Sequence, residues 1–266
     1  MAEPSCYRRK EVIGDCVLYL GDCLEVMPTL RTVDHTITDP PYSEIVHQNR
    51  GRRGNDLRRD GGPNLHALSF SSIEDIQERT AQLICKSCSG WFLAFSDIFA
   101  LPRWREAVLN AGGKSKSVCL WIKPDCAPQF NGQKPATAFE CIGVFWCGRS
   151  FSVWSGGGRR GLFTHRTNGP SRHGAHPTEK PVSLIRELIH LFSERGNTIL
   201  DPFMGSGTTG VACAKLGRKF IGIEIEPTYF DIACKRIEQA YAQPDMFVEP
   251  PRKAEQLSIL GTERRA

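Results

Sequence analysis

The stretch Thr198-Ile-Leu-Asp-Pro-Phe-Met-Gly-Ser-Gly-Thr-Thr-Gly210, followed by Phe220-Ile-Gly-Ile-Glu224, decides the fold. Thr198–Leu200 is a short apolar strand. The Gly-rich turn after it leads into a helix near 207–216, stopped by Gly217. Phe220–Ile223 reads as a second buried strand. Pro227, favourable at a helix start, opens a helix with Ile232, Ala233, Arg236, Ile237 and Ala240 at helical spacing. Upstream, 183–194 reads as a helix with Leu184, Leu188, Leu191 and Phe192 on one face. This strand–helix–strand–helix run is the unit of a parallel sheet with both faces covered.

The N-terminal half continues the alternation. Val17–Leu20 and Thr36–Thr38 read as strands, and Ser72 as the cap of a helix that turns Ile73, Ile76, Leu83 and Ile84 inward. Trp91–Phe95 is a buried strand. A helix over 102–111, stopped by Gly112-Gly113, and strands at 117–122 and 141–146 follow. The expectation is one doubly wound, Rossmann-like α/β domain over residues 1–243, with a Pro-rich, charged C-terminal extension over 244–266. Two polar stretches, 43–68 and 147–175, break the pattern. Irregular segments this long within a compact domain are usually functional or disordered.

Composition narrows the class. The chain has 266 residues, 40% hydrophobic and 24% charged, ordinary for a globular protein that buries its own core. No apolar run approaches the roughly 18–20 residues of a membrane span. The N-terminus has no signal-peptide h-region, so a cytoplasmic location is expected. Eleven Cys, an odd number, argue for reduced thiols rather than a disulfide framework. Cys85-Lys-Ser-Cys88 has no second ligand pair, and no metal is expected. Lys+Arg is 34 against Asp+Glu 29, and 23 of the 34 are Arg, the residue suited to bidentate phosphate and base recognition.

Gly205, Gly207 and Gly210 let a ligand approach the backbone between strand and helix, and Glu224 ends the next strand where a ribose-binding carboxylate belongs. That pattern implies a nucleoside-containing cofactor. Asp201 before the glycines would repel a pyrophosphate, which favours S-adenosylmethionine, with its ammonium and sulfonium, over NAD. A NAD-dependent oxidoreductase is the competing reading. Asp39-Pro40-Pro41-Tyr42 follows a strand, at the carboxyl edge of the sheet. The rigid turn presents a carboxylate and a backbone carbonyl to one small group, and Tyr42 offers a flat face. This set fits an exocyclic amine on a planar ring.

On these motifs the chain resembles the amino-group DNA methyltransferases, which methylate adenine N6 or cytosine N4. Asp39–Tyr42 looks like their catalytic motif and Asp201–Thr208 like their S-adenosylmethionine motif. His176-Pro-Thr-Glu-Lys-Pro181 is similar to the segment bordering the methionine end of the cofactor, and Gly21-Asp22 to the motif that closes on the adenosine. Phe139-Glu140 matches a weaker strand motif. The catalytic motif comes first, the circularly permuted order of the β class. The resemblance implies that Asp39 and the Pro40 carbonyl accept from the amine and that Tyr42 stacks on the base, with Pro41 stiffening the turn. It implies a cofactor site of Asp22, Cys23, Asp39, His176, Thr178, Lys180, Pro181, Asp201, Phe203, Gly205, Ser206, Gly207, Thr208 and Glu224. Within it Phe203 packs on the adenosine, Glu224 holds the ribose and Lys180 faces the carboxylate. Asp rather than Ser at position 39 leans towards adenine N6, with cytosine N4 and an RNA substrate as alternatives.

The two irregular loops hold ten of the 23 Arg. Arg50, Arg52, Arg53, Arg58 and Arg59 in the first, and Arg159, Arg160, Arg166 and Arg172 in the second, are expected to contact double-stranded DNA at the rim where Asp39 sits. A paired amine is out of reach, so base flipping is expected. The second loop is short for the target-recognition region of this family, which points to a homodimer or to shared recognition. A cognate restriction nuclease is a partner the resemblance leaves open.

Overall fold

A computed structural model describes residues 6–40, 73–128, 130, 133, 135–167 and 179–243. The elements are β1 (Arg9–Ile13), β2 (Cys16–Leu20), α1 (Cys23–Val26) with a 3-10 turn (Met27–Thr29), β3 (His35–Thr38), α2 (Ile73–Ser87), β4 (Trp91–Ser96) and α3 (Leu101–Asn110). They continue as β5 (Lys114–Ile122), β6 (Phe139–Trp146), β7 (Leu162–Thr164), α4 (Val182–Phe192), β8 (Thr198–Asp201), α5 (Thr208–Leu216), β9 (Lys219–Glu224) and α6 (Pro227–Ala242).

All nine strands join one sheet in the order β1-β2-β9-β8-β3-β4-β6-β5-β7. From β2 to β4 every pairing is parallel. The sheet is mixed where the sequence implied a parallel one: β6 runs antiparallel to both β4 and β5, and β1 antiparallel to β2. β5 and β7 keep the common direction. The carboxyl ends of seven strands, together with the start of β6, therefore meet on one edge.

Strand alternation builds two cores, one on each face of the sheet. In β4, Trp91, Leu93 and Phe95 face a core closed by α4, α5 and α6, while Phe92 and Ala94 face a second closed by α1, α2 and α3. β4 is buried along its whole length, which explains its unbroken apolar run. Cys85, Cys88 and Cys147 also gather here, at the opposite edge from Asp39. Cys85 and Cys147 Sγ lie 3.7 Å apart. Cys88 is buried in this core and Cys85 packs half-buried against it.

Two strands were not visible in the sequence. β1 is a charged edge strand, and β7 lies inside the Gly/Arg-rich stretch expected to be irregular. That stretch is further pinned: Trp154 packs edge-on to Phe192 at 4.8 Å, and Trp91 Nε1 donates to the Val153 carbonyl at 2.8 Å. The loop at 43–68 and the extension at 244–266 lie outside the described residues.

Candidate active site

β3 and β8 are parallel neighbours, yet the next described helix after β3 packs on one face and the helix after β8 on the other. Such a switch point opens a crevice at the carboxyl ends of the strands, where ligands bind in sheets of this kind. Asp39 and Asp201 stand at its two sides. Asp201 is buried, and both its oxygens are committed. Oδ1 accepts from Thr38 Oγ1 at 2.7 Å and from the Phe203 N–H at 3.2 Å, and Oδ2 accepts from Thr209 Oγ1 at 2.7 Å. Burial pushes its carboxyl up to about 6 against these hydrogen bonds. The sequence suggested a ligand-facing anion; the structure places a brace that ties β3, the Gly-rich turn and α5 together.

The glycines divide by role. Gly205 (φ +53°) has open space where a Cβ would stand, whereas a Cβ on Gly207 (φ +83°) would meet the Cβ of Ala233 at 2.8 Å. Gly210 is a packing glycine, its would-be Cβ 2.4 Å from Ile237 Cδ1. Ser206 and Thr208 are buried beside them. Glu224 ends β9 and reaches back into the turn: Oε2 accepts from the Gly205 N–H at 2.9 Å and Oε1 from the Glu226 N–H at 2.8 Å. Burial raises its carboxyl above the usual range. Phe203 is half-buried against the α1–α3 core. The Gly21 N–H donates to the Glu224 carbonyl at 2.9 Å, bringing the end of β2 alongside β9. Asp22 caps α1, its Oδ1 accepting from the Leu24 N–H at 2.8 Å, and Cys23 is buried in that helix, its thiol pushed far up by burial.

Asp39 is held by a buried cation. Lys180 Nζ donates to Asp39 Oδ2 at 2.6 Å and lies 3.2 Å from Glu140 Oε2 and 5.1 Å from the Phe95 ring centre. Its side chain is 6% exposed, which excludes a solvated lysine at a helix start. Burial lowers the Lys180 pKa, but Asp39 and Glu140 more than offset this and hold it raised. Glu140 in turn accepts from Lys123 Nζ at 2.5 Å. Burial raises the Glu140 carboxyl, while Lys180 and Lys123 bring it below its ordinary value. Pro40 is buried, and Pro181 forms the N-cap position of α4 just beyond Lys180.

A second cluster lies across the Gly-rich turn. Arg236 on α6 donates to the Ser206 carbonyl and to Ser206 Oγ, both at 2.7 Å, and pairs with Glu179 Oε1. Glu179 Oε2 is buried with no hydrogen-bond partner among the described residues. An orphaned buried acceptor is costly unless a ligand donor completes it. Asp39, Glu140, Glu179 and Glu224 surround the crevice, and its described cations Lys180, Lys123 and Arg236 are engaged by carboxylates or carbonyls. That balance repels a pyrophosphate and fits a cofactor with an ammonium and a sulfonium. The open space at Gly205 and the orphaned acceptor at Glu179 fit S-adenosylmethionine.

Sequence reasoning assigned no role to Glu140, Lys123, Glu179 or Arg236. Glu179 stood inside the quoted His176–Pro181 segment and Glu140 inside the Phe139-Glu140 motif; Lys123 and Arg236 depend on strand pairing and helix packing. Pro41, Tyr42, His176, Thr178, Arg50, Arg52, Arg53, Arg58, Arg59 and Arg172 lie outside the described residues. Arg166 follows β7 at the Asp39 edge, and Arg159 pairs with Glu187 on α4 at 2.9 Å, just before β7 with Arg160. The stretch does not all sit on that edge: Arg149 follows β6, which runs away from Asp39, and lies at the opposite end of the sheet.

A doubly wound sheet with an acidic crevice at its switch point has the architecture of an S-adenosylmethionine-dependent methyltransferase. The chain belongs to the DNA methylase family of N6 and N4 methyltransferases, whose signature matches residues 33–235. It is therefore a DNA amino-methyltransferase using S-adenosylmethionine. It is 27% identical over 91% of its length to the type II methyltransferase M.HinfI of Haemophilus influenzae, covering 76% of that protein. It is 33% identical over 53% of its length to type II methyltransferase M.XycI of Xanthomonas campestris pv. cyanopsidis, spanning about half of that relative (51%). Solved structures of similar fold include an M1.HpyAVI–SAM complex (TM-score 0.65, 24% identity, 84% of this chain and 98% of that one). The cytosine-N4-specific PvuII DNA methyltransferase is another (TM-score 0.69, 17% identity, 89% and 95%).

Proposed function

We propose that this enzyme methylates the N6 amine of adenine in double-stranded DNA, on a base extruded from the helix into the crevice beside Asp39. The observation that carries this reading is the Asp39 carboxylate, fixed by Lys180 at 2.6 Å on the edge of the switch-point crevice. An aromatic amine is a poor nucleophile because its lone pair is delocalised into the ring. Asp39 and the Pro40 carbonyl accept its two N–H bonds and draw the nitrogen towards tetrahedral geometry. The Asp39 charge then opposes the positive charge that develops on that nitrogen, the usual source of the largest catalytic term. Bound S-adenosylmethionine supplies an electrophilic methyl. Glu224 accepts from its ribose hydroxyls, Phe203 packs on its adenine near Asp22, and Gly205–Thr208, Lys180 and Pro181 line its methionine end. Asp at position 39 supports adenine over cytosine.

Arg159, Arg160 and Arg166, with the arginines of 43–68, contact the DNA backbone. The domain ends near 243, acts in the cytoplasm as a homodimer, and serves a type II restriction–modification pair, as the curated relatives' names suggest. Incubation with labelled S-adenosylmethionine and unmethylated DNA, followed by nucleoside analysis, tests the reading. Label in N6-methyladenosine is expected; label in N4-methylcytidine alone moves the target to cytosine, and no label on DNA overturns the proposal.

A further inference from the structure

Lys180 sits between two carboxylates, and both orient it. An ammonium has three N–H bonds. Asp39 Oδ2 and Glu140 Oε2 lie 2.6 and 3.2 Å from Lys180 Nζ, and the Phe95 ring lies 5.1 Å below. Glu140 is itself fixed: it is the second residue of β6, opposite Trp121, and its second oxygen accepts from Lys123 at 2.5 Å. Lys123 rests over the Trp121 ring at 4.6 Å. The side chains of Glu140 and Lys123 are 19% and 17% exposed, so solvent screens these charges weakly. The result is a row of alternating sign, Lys123–Glu140–Lys180–Asp39, ending at the carboxylate that receives the target amine.

We propose that Glu140, braced by Lys123, is a positioning residue for methyl transfer: it shares Lys180 with Asp39, fixing the lysine and leaving Asp39 enough negative field to act on the amine. This rests on the role of Asp39 given above. Without Glu140, more of the Lys180 charge falls on Asp39. The field that favours the developing ammonium weakens, and Lys180 loses one of the two anchors that set where Asp39 points. Among the described contacts, Lys123 is linked to Asp39 through Glu140 and Lys180, so its effect travels the same route.

The test compares Glu140→Gln, Lys123→Met, the double variant and Asp39→Ala in the full-length enzyme. It measures initial rates at saturating unmethylated genomic DNA, KM for that DNA, and cofactor affinity by calorimetry. Glu140→Gln is expected to lower kcat roughly 10–100-fold, the scale of a misplaced catalytic group, with DNA KM and cofactor affinity within about threefold, a split expected when only a transition-state interaction is lost. Lys123→Met should lower kcat less, and the double variant should be no slower than Glu140→Gln, since coupled residues are non-additive. A Glu140→Gln rate within about threefold of native, additive effects, or a loss confined to cofactor affinity overturns the proposal. If Glu140→Gln does not fold, an unchanged kcat in Lys123→Met does so. An active Asp39→Ala instead refutes the role of Asp39 itself.

Discussion

Asp201 gives a thermodynamic test of how the crevice is built. Its carboxyl is pushed from 3.8 to about 6 by burial. The folded state thus holds a proton that the unfolded chain has already released between about pH 4 and 6. With a raised carboxylate pKa, stability falls as pH rises through this window, and the full cost is present above about pH 6. The difference of about 2 units corresponds to about 3 kcal/mol of destabilisation at pH 7.5. Asparagine mimics the protonated acid. Its oxygen accepts from Thr38 and the Phe203 N–H as Oδ1 does, and its amide donates to the Thr209 hydroxyl. Asp201→Asn should therefore be more stable than the native chain at pH 7.5, by about 3 kcal/mol or roughly 6–12 °C in Tm at this size. The advantage should vanish near pH 4. Urea unfolding without cofactor at pH 4.5, 6 and 7.5 measures this. A variant less stable than native at pH 7.5, with the same slope across the window, refutes a raised Asp201 carboxyl whose ionisation costs stability.

Other positions give sharper contrasts. Gly210→Ala drives a methyl to 2.4 Å from Ile237 Cδ1 and should cost about 1–3 kcal/mol. Gly205→Ala meets no atom within 4 Å but pays left-handed strain at φ +53°, about 1–2 kcal/mol. Thermal unfolding ranks the two. Lys180→Met leaves Asp39 and Glu140 without their shared cation; calorimetry should show weakened cofactor binding and rate assays a loss of transfer. Replacing Arg159, Arg160 and Arg166 with Gln should reduce the slope of log DNA affinity against log salt by roughly 0.9 for each phosphate these side chains neutralise; an unchanged slope removes them from the interface.

Much of the sheet was legible because each parallel strand is a short apolar run before a helix with its own stop, as at Thr198–Asp201 before α5 and Gly217. The direction of β6 was not, since the apolar run Cys141–Trp146 carries no mark of which way it runs between β4 and β5. β1 was hidden because Arg9-Lys-Glu-Val-Ile13 is an edge strand whose charges face water. At the site, motifs supplied Asp39, Lys180 and Glu224, but not how they are held. Lys180 lies 141 residues from Asp39, and Glu140 reaches it only through the Trp121 register. Asp201 shows the opposite limit: its place before the glycines suggested a ligand contact, whereas burial beside two threonine hydroxyls makes it a brace.

The most direct measurement is single-turnover methyl transfer to DNA by Asp39→Ala, with cofactor affinity measured on the same preparation. The expected result is cofactor binding within a few-fold of native and transfer slowed by a factor on the order of 10²–10³ or more, the range for losing one preorganised electrostatic group. Transfer within about tenfold of native, with cofactor binding lost instead, would contradict the assignment of Asp39 as the acceptor of the target amine.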